Sequence, residues 1–291
     1  MLPEFDLYTP HTLPETLALL SEGRSEIIPI AGGTNVIPDL RSRRHVPKGL
    51  IDISRLDDLG GVRREDGTIF VGGNVTIAEL LSSSIVREVG RPLHQAASVF
   101  ANPLVRNRAT LAGNLVDASP AADTAPPLLV LDAVVDLVSQ SGCRSMPVSE
   151  FFKGVRQTAR RPDELLAGVR WPLPGPRTAF GYTKLGLRQA DAIAVVGVAV
   201  CLEVDASGFC QMARIGLGSV APTPMRALEA EACLVGTRIH EETIHEAAKL
   251  AAEAVSPISD LRASDRYRRR MVEALVSRLL HQAAKDLVQG G

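Results

Sequence analysis

Three observations predict an α+β fold with two main domains. Short apolar runs near the amino end have the character of strands and suggest a small sheet. Two long runs of residues with strand character, followed by amphipathic helices, indicate a second α+β layer near the carboxyl end. The turn-rich segment PLPGPR at Pro172–Arg177 lies between them and is our candidate domain boundary. With 291 residues, 45% of them hydrophobic, the chain can bury one large core or two to three modest ones.

The amino-terminal part is predicted to contain short helices and strands. Thr12 can cap a first helix, which has Pro14 in its first turn and Gly23 just past its end. Thr76 and Glu79 form a capping box ahead of the helix IAELLSS. The other elements predicted here are the first helix at Leu13–Glu22, strands at Ile27–Ile30, Leu50–Ser54 and Thr68–Gly73, and a helix at Pro92–Phe100.

Strands dominate the middle of the chain and helices dominate its end. The segment TAPPLLVLDA is predicted to be helical, with Pro126 and Pro127 in its first turn, and AVVDLVSQ has strand character. Further strands are predicted at Leu165–Arg170, Ala179–Lys184, Ala192–Leu202 and FCQMARIGLGSV, and helices near Ala227–Leu234, Glu241–Val255 and Ser264–Leu287.

Charge and hydropathy narrow the classes of function. The net charge of -1 at pH 7 does not indicate the basic surface that nucleic-acid binding requires. The one basic run, Arg266–Arg270, lies in the first turns of the last helix, where apolar residues at helical spacing favour a solvated helix face over a nucleic-acid patch. No apolar segment is long enough to span a bilayer, and the amino end lacks the pattern of a secretory signal. We therefore expect a cytoplasmic protein.

Cysteines and histidines give no metal-site pattern. The four Cys include no close pair at metal-ligand spacing, so neither an iron-sulphur cluster nor a structural zinc is expected within this chain. The six His are equally dispersed and are interpreted as structural or surface residues.

A glycine-rich turn, AGGTN at Ala31–Asn35, directly follows a predicted strand. A strand, a glycine-rich turn and a short helical segment can point several backbone N–H groups at one anion, for which phosphate is the best candidate. The turn is neither a Walker loop, because no Lys follows the glycines, nor the GxGxxG dinucleotide turn. An ordinary tight turn is the alternative.

The stretch Asn107–Asp123, NRATLAGNLVDASPAAD, is too poor in large apolar side chains to build core. Its small residues allow close approach of a ligand to the backbone, and Gly tolerates positive φ. Thr110, Asn114 and Asp123 supply a hydroxyl, an amide and a carboxylate, a set suited to polyol or phosphate oxygens. The alternative is a turn-rich surface loop in which Asn and Asp serve as local caps.

The two small-residue loops, AGGTN and TLAGN followed by ASPAAD, stand about eighty residues apart. They resemble the paired FAD-binding loops of the medium subunits of molybdenum hydroxylases, such as carbon monoxide dehydrogenase and bacterial xanthine dehydrogenase. The resemblance covers nearly the whole chain, including LIDIS, IFVGGNVTIAEL, TAPPLLVLDA, KLGLRQADAIAVVGVAV and SDRYRRRM. It implies a vanillyl-alcohol-oxidase-type FAD-binding domain at 1–177, in two subdomains at about 1–56 and 57–177, and a C-terminal α+β domain at 178–291.

The resemblance also implies which residues contact the FAD. The first loop would wrap the pyrophosphate with backbone amides, and the second would hold phosphate, ribityl and isoalloxazine polar atoms. The first loop contributes Ala31, Gly32, Gly33, Thr34, Asn35 and Val36, and the second contributes Thr110, Ala112, Gly113, Asn114 and Asp123. Four further residues match positions beside the flavin ring: Phe100, Leu166, Lys184 and Ile193.

Several of these residues have a structural alternative. Phe100 would equally suit a core position at a helix end, Lys184 a strand surface, and Ile193 a buried strand. Arg188 and Asp191 resemble a charged pair that influences access of the electron acceptor in some members, and a simple strand-end ion pair is the alternative.

The sequence departs from the family pattern at two points. Ala112 stands where Gly is usual, which narrows the second loop by a methyl group without excluding FAD. The chain also lacks the cysteine-bearing insertion by which some members bind an extra iron-sulphur cluster, which argues against that subgroup alone.

The resemblance implies an FAD-carrying electron-transfer subunit of a molybdenum-containing hydroxylase or dehydrogenase. Electrons would reach this chain from a large subunit with the molybdenum cofactor, through a small subunit with iron-sulphur clusters, in a dimer of heterotrimers. The FAD would then reduce an external acceptor. Two alternatives remain open: a stand-alone flavin oxidase or dehydrogenase with the same loops, and a flavin-free assembly subunit.

Overall fold

The computed structural model describes residues 2–23 and 25–289. Its strands are β1 (Asp6–Tyr8), β2 (Ile27–Ile30), β3 (Gly49–Asp52), β4 (Val62–Glu65), β5 (Thr68–Gly72), β6 (Val134–Ser139), β7 (Gly142–Pro147), β8 (Phe152–Gly154), β9 (Gln157–Thr158), β10 (Leu165–Pro172), β11 (Thr178–Leu185), β12 (Val196–Val204), β13 (Cys210–Gly218) and β14 (Met225–Arg226).

The helices lie between and after these strands. They are α1 (Leu13–Gly23), α2 (Val36–Arg41), α3 (Ile77–Ser82), α4 (Ser84–Val89), α5 (Arg91–Val99), α6 (Pro103–Arg106), α7 (Leu111–Val116), α8 (Ala125–Val130), α9 (Val148–Phe151), α10 (Leu228–Leu234), α11 (Glu241–Ala254) and α12 (Asp265–Gln289). Within the described ranges, none of them combines the length and the apolar character needed to cross a membrane.

The first sheet is parallel and leads into the first loop. Its strand order is β1-β3-β2, with Ile30 of β2 opposite Asp52 of β3. Helix α1 covers this sheet, and Leu20 is buried in the same cluster as Ile51. Because β2 ends at Ile30, the segment AGGTN leaves the sheet at the carboxyl end of that strand.

The second sheet is antiparallel, in the order β4-β5-β10-β6-β7, with β10 at its centre. Helices α3, α5, α7 and α8 contribute buried residues to the same core. Trp171 of β10 is only 1% exposed, and its indole Nε1 donates a hydrogen bond to the carbonyl of Val89 at 3.2 Å. The largest side chain of this core is thus buried with its polar group satisfied.

The third sheet, β11-β12-β13-β14, is antiparallel and is covered on both sides. Helix α12 packs against β11 and β12, whereas α5 and α8 of the preceding part contact β11, β12 and β13. Gly216 makes the contact with α8 possible, because an added Cβ would lie 2.5 Å from the carbonyl oxygen of Pro126. Residues 173–177, most of the predicted boundary segment Pro172–Arg177, connect the second sheet to the third. The division into domains at that segment stays a prediction.

Most of the predicted elements occur where the sequence places them. The first helix spans Leu13–Gly23, and the strand before the glycine-rich turn spans Ile27–Ile30. The capping box is also confirmed: the Glu79 backbone N–H donates to the Thr76 hydroxyl at 3.2 Å, and the Thr76 N–H donates to the Glu79 carboxylate at 2.7 Å.

The stretch Asn107–Asp123 differs from the prediction because it is not a loop throughout. It contains α7, which begins after Thr110 and buries Leu111 and Leu115. Ala112, Gly113 and Asn114 lie between these two leucines, so the apolar pattern of this short helix is too brief to be recognised in the sequence. The Thr110 hydroxyl accepts a hydrogen bond from the Gly113 N–H at 3.1 Å and supplies the cap that starts the helix.

Two other predictions fail where tertiary contacts override local pattern. The long apolar strand begins at Val196 rather than Ala192. The basic run is not a fully solvated face, because Arg268 is only 3% exposed. Its guanidinium donates to the carbonyls of Val195 and Ser219 at 2.8 and 2.9 Å and pairs with Asp260 at 2.8 Å. A pattern of charges along one helix cannot reveal acceptors on other elements.

A buried carboxylate connects the segment after the β8–β9 hairpin to the second sheet. Glu164 is fully buried, and its carboxylate accepts hydrogen bonds from Arg144 Nε at 2.6 Å and from the Arg161 backbone N–H at 2.6 Å. Burial acts to raise the pKa of Glu164, but the hydrogen bonds from Arg144 and Arg161 outweigh it and hold the pKa below its usual value.

We predict that Glu164→Gln lowers the free energy of unfolding by about 1.5–3 kcal/mol at neutral pH, the range for hydrogen bonds to charged groups. Because the folded-state pKa is depressed, this stabilisation is lost as the pH falls through that value, and wild type and variant should converge in acid. Urea unfolding at neutral and acid pH measures both effects. The exposed Glu150→Gln is the control. A wild-type advantage that persists unchanged in acid would contradict the prediction.

Candidate functional site

A cleft of about 590 Å³ opens between the two small-residue loops and the segment before β12. Its volume lies within the range of about 300–1,000 Å³ that is usual for small-molecule sites. Twelve of the fifteen residues predicted to contact a cofactor line it: Ala31, Gly32, Gly33, Thr34, Asn35, Val36, Phe100, Thr110, Gly113, Asn114, Asp123 and Ile193. Residues far apart in the sequence thus share one cavity.

The first loop lies in direct contact with the backbone that precedes the second. A Cβ added to Gly32 would lie 1.8 Å from the carbonyl oxygen of Arg108, so only glycine fits at this position. Gly33 has a φ of 71°, a left-handed conformation that again favours glycine. The chain then enters α2, where the Ile37 N–H donates to the Gly33 carbonyl at 3.0 Å. The two glycines therefore fix the path of this loop.

The second loop is anchored to the segment between β5 and α3. The Ile77 N–H donates to the carbonyl of Ala109, and the Leu111 N–H donates to the carbonyl of Val75, both at 2.9 Å. Between these bonds lies Thr110, which caps α7 and lines the cleft. The start of α7 is therefore held rigidly at the cavity wall.

Asn114 keeps its donor capacity available to a ligand. Its side-chain Oδ1 accepts a hydrogen bond from the Thr124 hydroxyl at 2.6 Å, which orients the amide. Its Nδ2 donates to no residue within the described part of the chain, and the residue lines the cavity. An oriented amide with a free NH₂ group suits a carbonyl or phosphate oxygen.

Asp123 belongs to a buried group of three polar side chains. Its carboxylate pairs with Lys184 Nζ at 2.6 Å, and it also accepts a hydrogen bond from the Tyr182 hydroxyl at 3.4 Å. Burial raises the pKa of Asp123 although Lys184 and Tyr182 oppose that shift, and burial together with the Asp123 charge raises the pKa of Tyr182 well above its usual value. Lys184 reaches the site through Asp123 and not as part of the cavity wall.

Phe100 and Ile193 both line the cleft, at its end near β11. Phe100 is buried, whereas Ile193 is 56% exposed and lies in the loop before β12 rather than in a strand. This loop is tied to the region of Phe100 by a hydrogen bond of 3.3 Å from the Asp191 N–H to the carbonyl of Ala101. The predicted pair of Arg188 with Asp191 forms at its surface, with 3.8 Å between guanidinium and carboxylate.

Ala112 and Leu166 lie behind the cavity wall. The Ala112 N–H donates to the carbonyl of Gly73 at 3.0 Å, and Leu166 is 4% exposed in the core of the second sheet. An added Cβ at Gly73 would lie 2.3 Å from the Leu166 carbonyl oxygen and 3.1 Å from the Ala112 Cβ. Both residues therefore support the second loop, and a direct contact of either with a cofactor stays a prediction.

Two arginines that no sequence motif marked also line the cleft. Strands β8 and β9 form a two-stranded hairpin; Arg156 lies between them and Arg160 follows β9. Arg156 pairs with Asp39 at 2.6 Å and with Asp117 at 3.6 Å, which links α2 to the end of α7. Only the fold of the hairpin brings this basic segment to the loops.

The comparisons with known proteins match both parts of the chain. Residues 3–174 match the family described as FAD binding domain in molybdopterin dehydrogenase, and residues 181–283 match the CO dehydrogenase flavoprotein C-terminal domain. This chain belongs to the FAD-binding medium subunits of the molybdopterin dehydrogenases. The predicted family is thereby confirmed.

Relatives of this medium subunit match it over nearly their whole length. The medium chain of carbon monoxide dehydrogenase from Afipia carboxidovorans is 31% identical over 284 residues, which are 97% of this chain and 98% of that protein. The xanthine dehydrogenase FAD-binding subunit of Escherichia coli O157:H7 is 30% identical over 285 residues, 96% and 97% of the two chains. Such relatives are subunits of molybdenum hydroxylases, which are multi-subunit oxidoreductases.

A solved structure of carbon monoxide dehydrogenase from Hydrogenophaga pseudoflava matches the medium-subunit fold seen here. Its TM-score is 0.94 at 33% sequence identity, and the match covers 99% of each chain. The predicted α+β class is therefore confirmed.

The cleft of this medium subunit fits a flavin dinucleotide on its own geometry. The glycine at position 32 lets the first loop lie against the Arg108 carbonyl, and this contact sets the two loops side by side along the cleft. The free amide of Asn114 and the buried carboxylate of Asp123 offer a donor and an acceptor on the same wall. The residue set is suited to phosphate, polyol and heteroaromatic atoms, all of which FAD contains.

We predict that Asn114→Leu weakens FAD binding by at least ten-fold, which corresponds to about 1.4 kcal/mol, because the oriented amide is lost from the cavity wall. Fluorescence titration of the apoprotein measures the dissociation constant. Thr124→Val is the matched control, since it removes the same internal hydrogen bond but keeps the Asn114 amide. Unchanged flavin occupancy together with unchanged thermal stability in Asn114→Leu would place this loop away from the ligand.

Proposed function

We propose that this chain binds one FAD noncovalently and acts as the electron-transfer subunit of a molybdenum-containing hydroxylase. The observation that carries the proposal is the single cleft formed by both small-residue loops, with Phe100 and Ile193 at one end. When bound, FAD supplies the chemistry of accepting electrons and passing them to an external acceptor.

Different residues of the cleft would contact different parts of the FAD. The backbone of Ala31–Val36 is placed to face a diphosphate, because it lines the cleft and the N–H groups of residues 31–35 donate no hydrogen bond among the described residues. Asn114 would donate a hydrogen bond, and Phe100 and Ile193 offer apolar surface to a planar ring. Thr110 holds the start of the α7 wall in place.

The pair of Asp123 and Lys184 sets the charge at the ring end of the cleft. The carboxylate lines the cavity, and the ammonium group 2.6 Å away balances it from β11. Replacement of either partner would leave the other charge buried, which is costly in a site of low polarity. These two residues therefore hold a fixed, nearly neutral pair beside the position proposed for the ring.

The partners proposed for this chain are a large subunit with the molybdenum cofactor and a small subunit with iron-sulphur clusters, in a dimer of heterotrimers. Support comes from relatives that match over nearly their whole length and are named as medium chains of carbon monoxide dehydrogenases. Electrons would enter from the small subunit and leave to an external acceptor.

Neither alternative to the proposed function is favoured by a specific feature of the fold. A stand-alone oxidase needs room for an organic substrate, yet the third sheet is covered on both faces by helices. A flavin-free assembly subunit has no need for an oriented amide with a free donor at position 114. Both observations support the electron-transfer role.

We predict that the flavin is released by acid. The described residues that line the cleft include neither His nor Cys, the side chains that would form a covalent link. Precipitation of the purified protein with acid should leave FAD in a yellow supernatant. Flavin that stays on the pellet would contradict noncovalent binding, and a colourless protein would contradict the site itself.

We predict that the FAD-loaded chain alone passes electrons between its flavin and a dye or NADH but oxidises no organic substrate. The reason is that the substrate-oxidising cofactor is expected on a separate subunit. The assay tests N-heterocycles, aldehydes and carbon monoxide with the isolated chain. Turnover of any of them without partner subunits would favour the stand-alone oxidase.

A further inference from the structure

The charged side chains of the cleft are almost all paired within the protein. Asp117 lies 3.6 Å from Arg156, which pairs more closely with Asp39 at 2.6 Å. At the other end, Asp123 pairs with Lys184 at 2.6 Å. Asp191 has Arg188 as its partner at 3.8 Å. Arg160, the remaining charged residue of the cavity wall, has no carboxylate within 4.0 Å among the described residues.

Arg160 is held in place by backbone carbonyls and not by a counter-charge. Its Nη1 donates to the carbonyl oxygens of Glu164 at 2.6 Å and Arg161 at 3.0 Å. Its Nε is buried without a partner in the described part of the chain, and its Nη2, which is not buried in this way, donates to no described residue. The nearby Glu164 carboxylate is already occupied by Arg144 and Arg161. An anchored guanidinium with unused donors and no counter-ion is the feature that a bound anion would complete.

The two ends of the cleft differ in chemistry. Phe100, Asp123 and Ile193 lie at the end where the third sheet meets α5, since Lys184 donates to the carbonyl of Val99 at 3.4 Å. Arg160 donates to the carbonyl of Glu164, and the adjoining Leu165 belongs to the buried cluster against which Ala31 of the first loop packs. The first end offers apolar surface for a planar ring. Near the first loop, Asp39 and Asp117 balance the charge of Arg156, so the charge left for a ligand is that of Arg160 alone.

We propose that Arg160 recognises the adenosine diphosphate half of the dinucleotide and thereby makes the cleft select FAD over smaller flavins. The inference rests on the proposed function, since it assigns one residue to the cofactor of that same site. Arg160 supplies the charge and the donors, whereas the first loop supplies neutral amides. Loss of the Arg160 charge therefore weakens only ligands that carry the diphosphate.

The test measures binding of FAD, ADP and riboflavin to the apoprotein, by flavin fluorescence for the first and last and by calorimetry for ADP. Arg160→Gln should weaken FAD and ADP by similar factors of at least about ten-fold, the loss of one charge-assisted contact, while riboflavin binding changes by less than about two-fold. Arg160→Lys, which keeps the charge, should recover part of the ADP affinity. Arg177→Gln is the control, because it removes the same charge from an exposed residue outside the cleft.

The outcomes separate this inference from the function on which it depends. If the wild-type protein fails to bind FAD, the proposed function is wrong. If wild type binds FAD and Arg160→Gln binds FAD and ADP equally well, Arg160 does not contact that half of the ligand. An equal loss of riboflavin affinity would also overturn the inference, because the effect would then come from the shape of the cleft.

A second measurement covers the case in which Arg160→Gln unfolds. The affinity of the wild-type protein for ADP should fall with added salt, because a charged contact is screened, whereas its affinity for riboflavin should not. Equal salt responses of the two ligands would contradict the role of Arg160.

Discussion

The contact between Gly32 and the carbonyl of Arg108 is the constraint on which the rest of the site depends. It brings a loop from the parallel sheet against the segment that starts α7, and an added Cβ would lie only 1.8 Å from that carbonyl oxygen. A side chain at position 32 would push the two loops apart and so change the width of the cleft between them. Gly73, which also contacts Ala112 of α7, allows a second close approach, since an added Cβ there would lie 2.3 Å from the carbonyl oxygen of Leu166. The second loop is therefore fixed on both sides by backbone contacts that side chains cannot replace.

Given this geometry, the charges of the cleft decide which ligand it suits. Buried charges are unfavourable unless they are paired, and the pair of Asp123 with Lys184 satisfies that condition at the ring end. At the opposite end the protein leaves the guanidinium of Arg160 without a carboxylate within 4.0 Å among the described residues. A ligand with an apolar planar half and an anionic half matches both ends at once, which neither a neutral ring nor a simple anion does.

The sequence predicted much of this site because its strongest signals are local. A strand followed by a glycine pair identified the first loop, and the resemblance added Phe100 and Ile193, whose local context is also consistent with ordinary core positions. Arg160 was missed since it stands beside Arg161 in the sequence, and only the hairpin of β8 and β9 turns one towards the cleft and the other towards Glu164. The start of the strand that follows Ile193 was misplaced for a similar reason. Residues 192–194 of the run AIAVV lie in a loop that follows a tertiary hydrogen bond from the Asp191 N–H to the carbonyl of Ala101, a contact that no periodicity records.

The third sheet is part of the site and not an appended module. Lys184 of β11 supplies the counter-charge of Asp123, and the neighbouring Tyr182 N–H donates to the Gln95 side chain of α5 at 2.8 Å. The loop between β11 and β12 then carries Ile193 to the cavity wall. The ring end of the cleft consequently exists only while β11 lies against α5. If a ligand binds only when the third sheet is docked, the two processes are linked. Docking of the sheet then favours ligand binding, and ligand binding favours docking by the same free energy. Helix α12 packs against this sheet, and α11 packs against α12. Contacts made by these two helices can therefore influence the affinity of the cleft without touching the ligand.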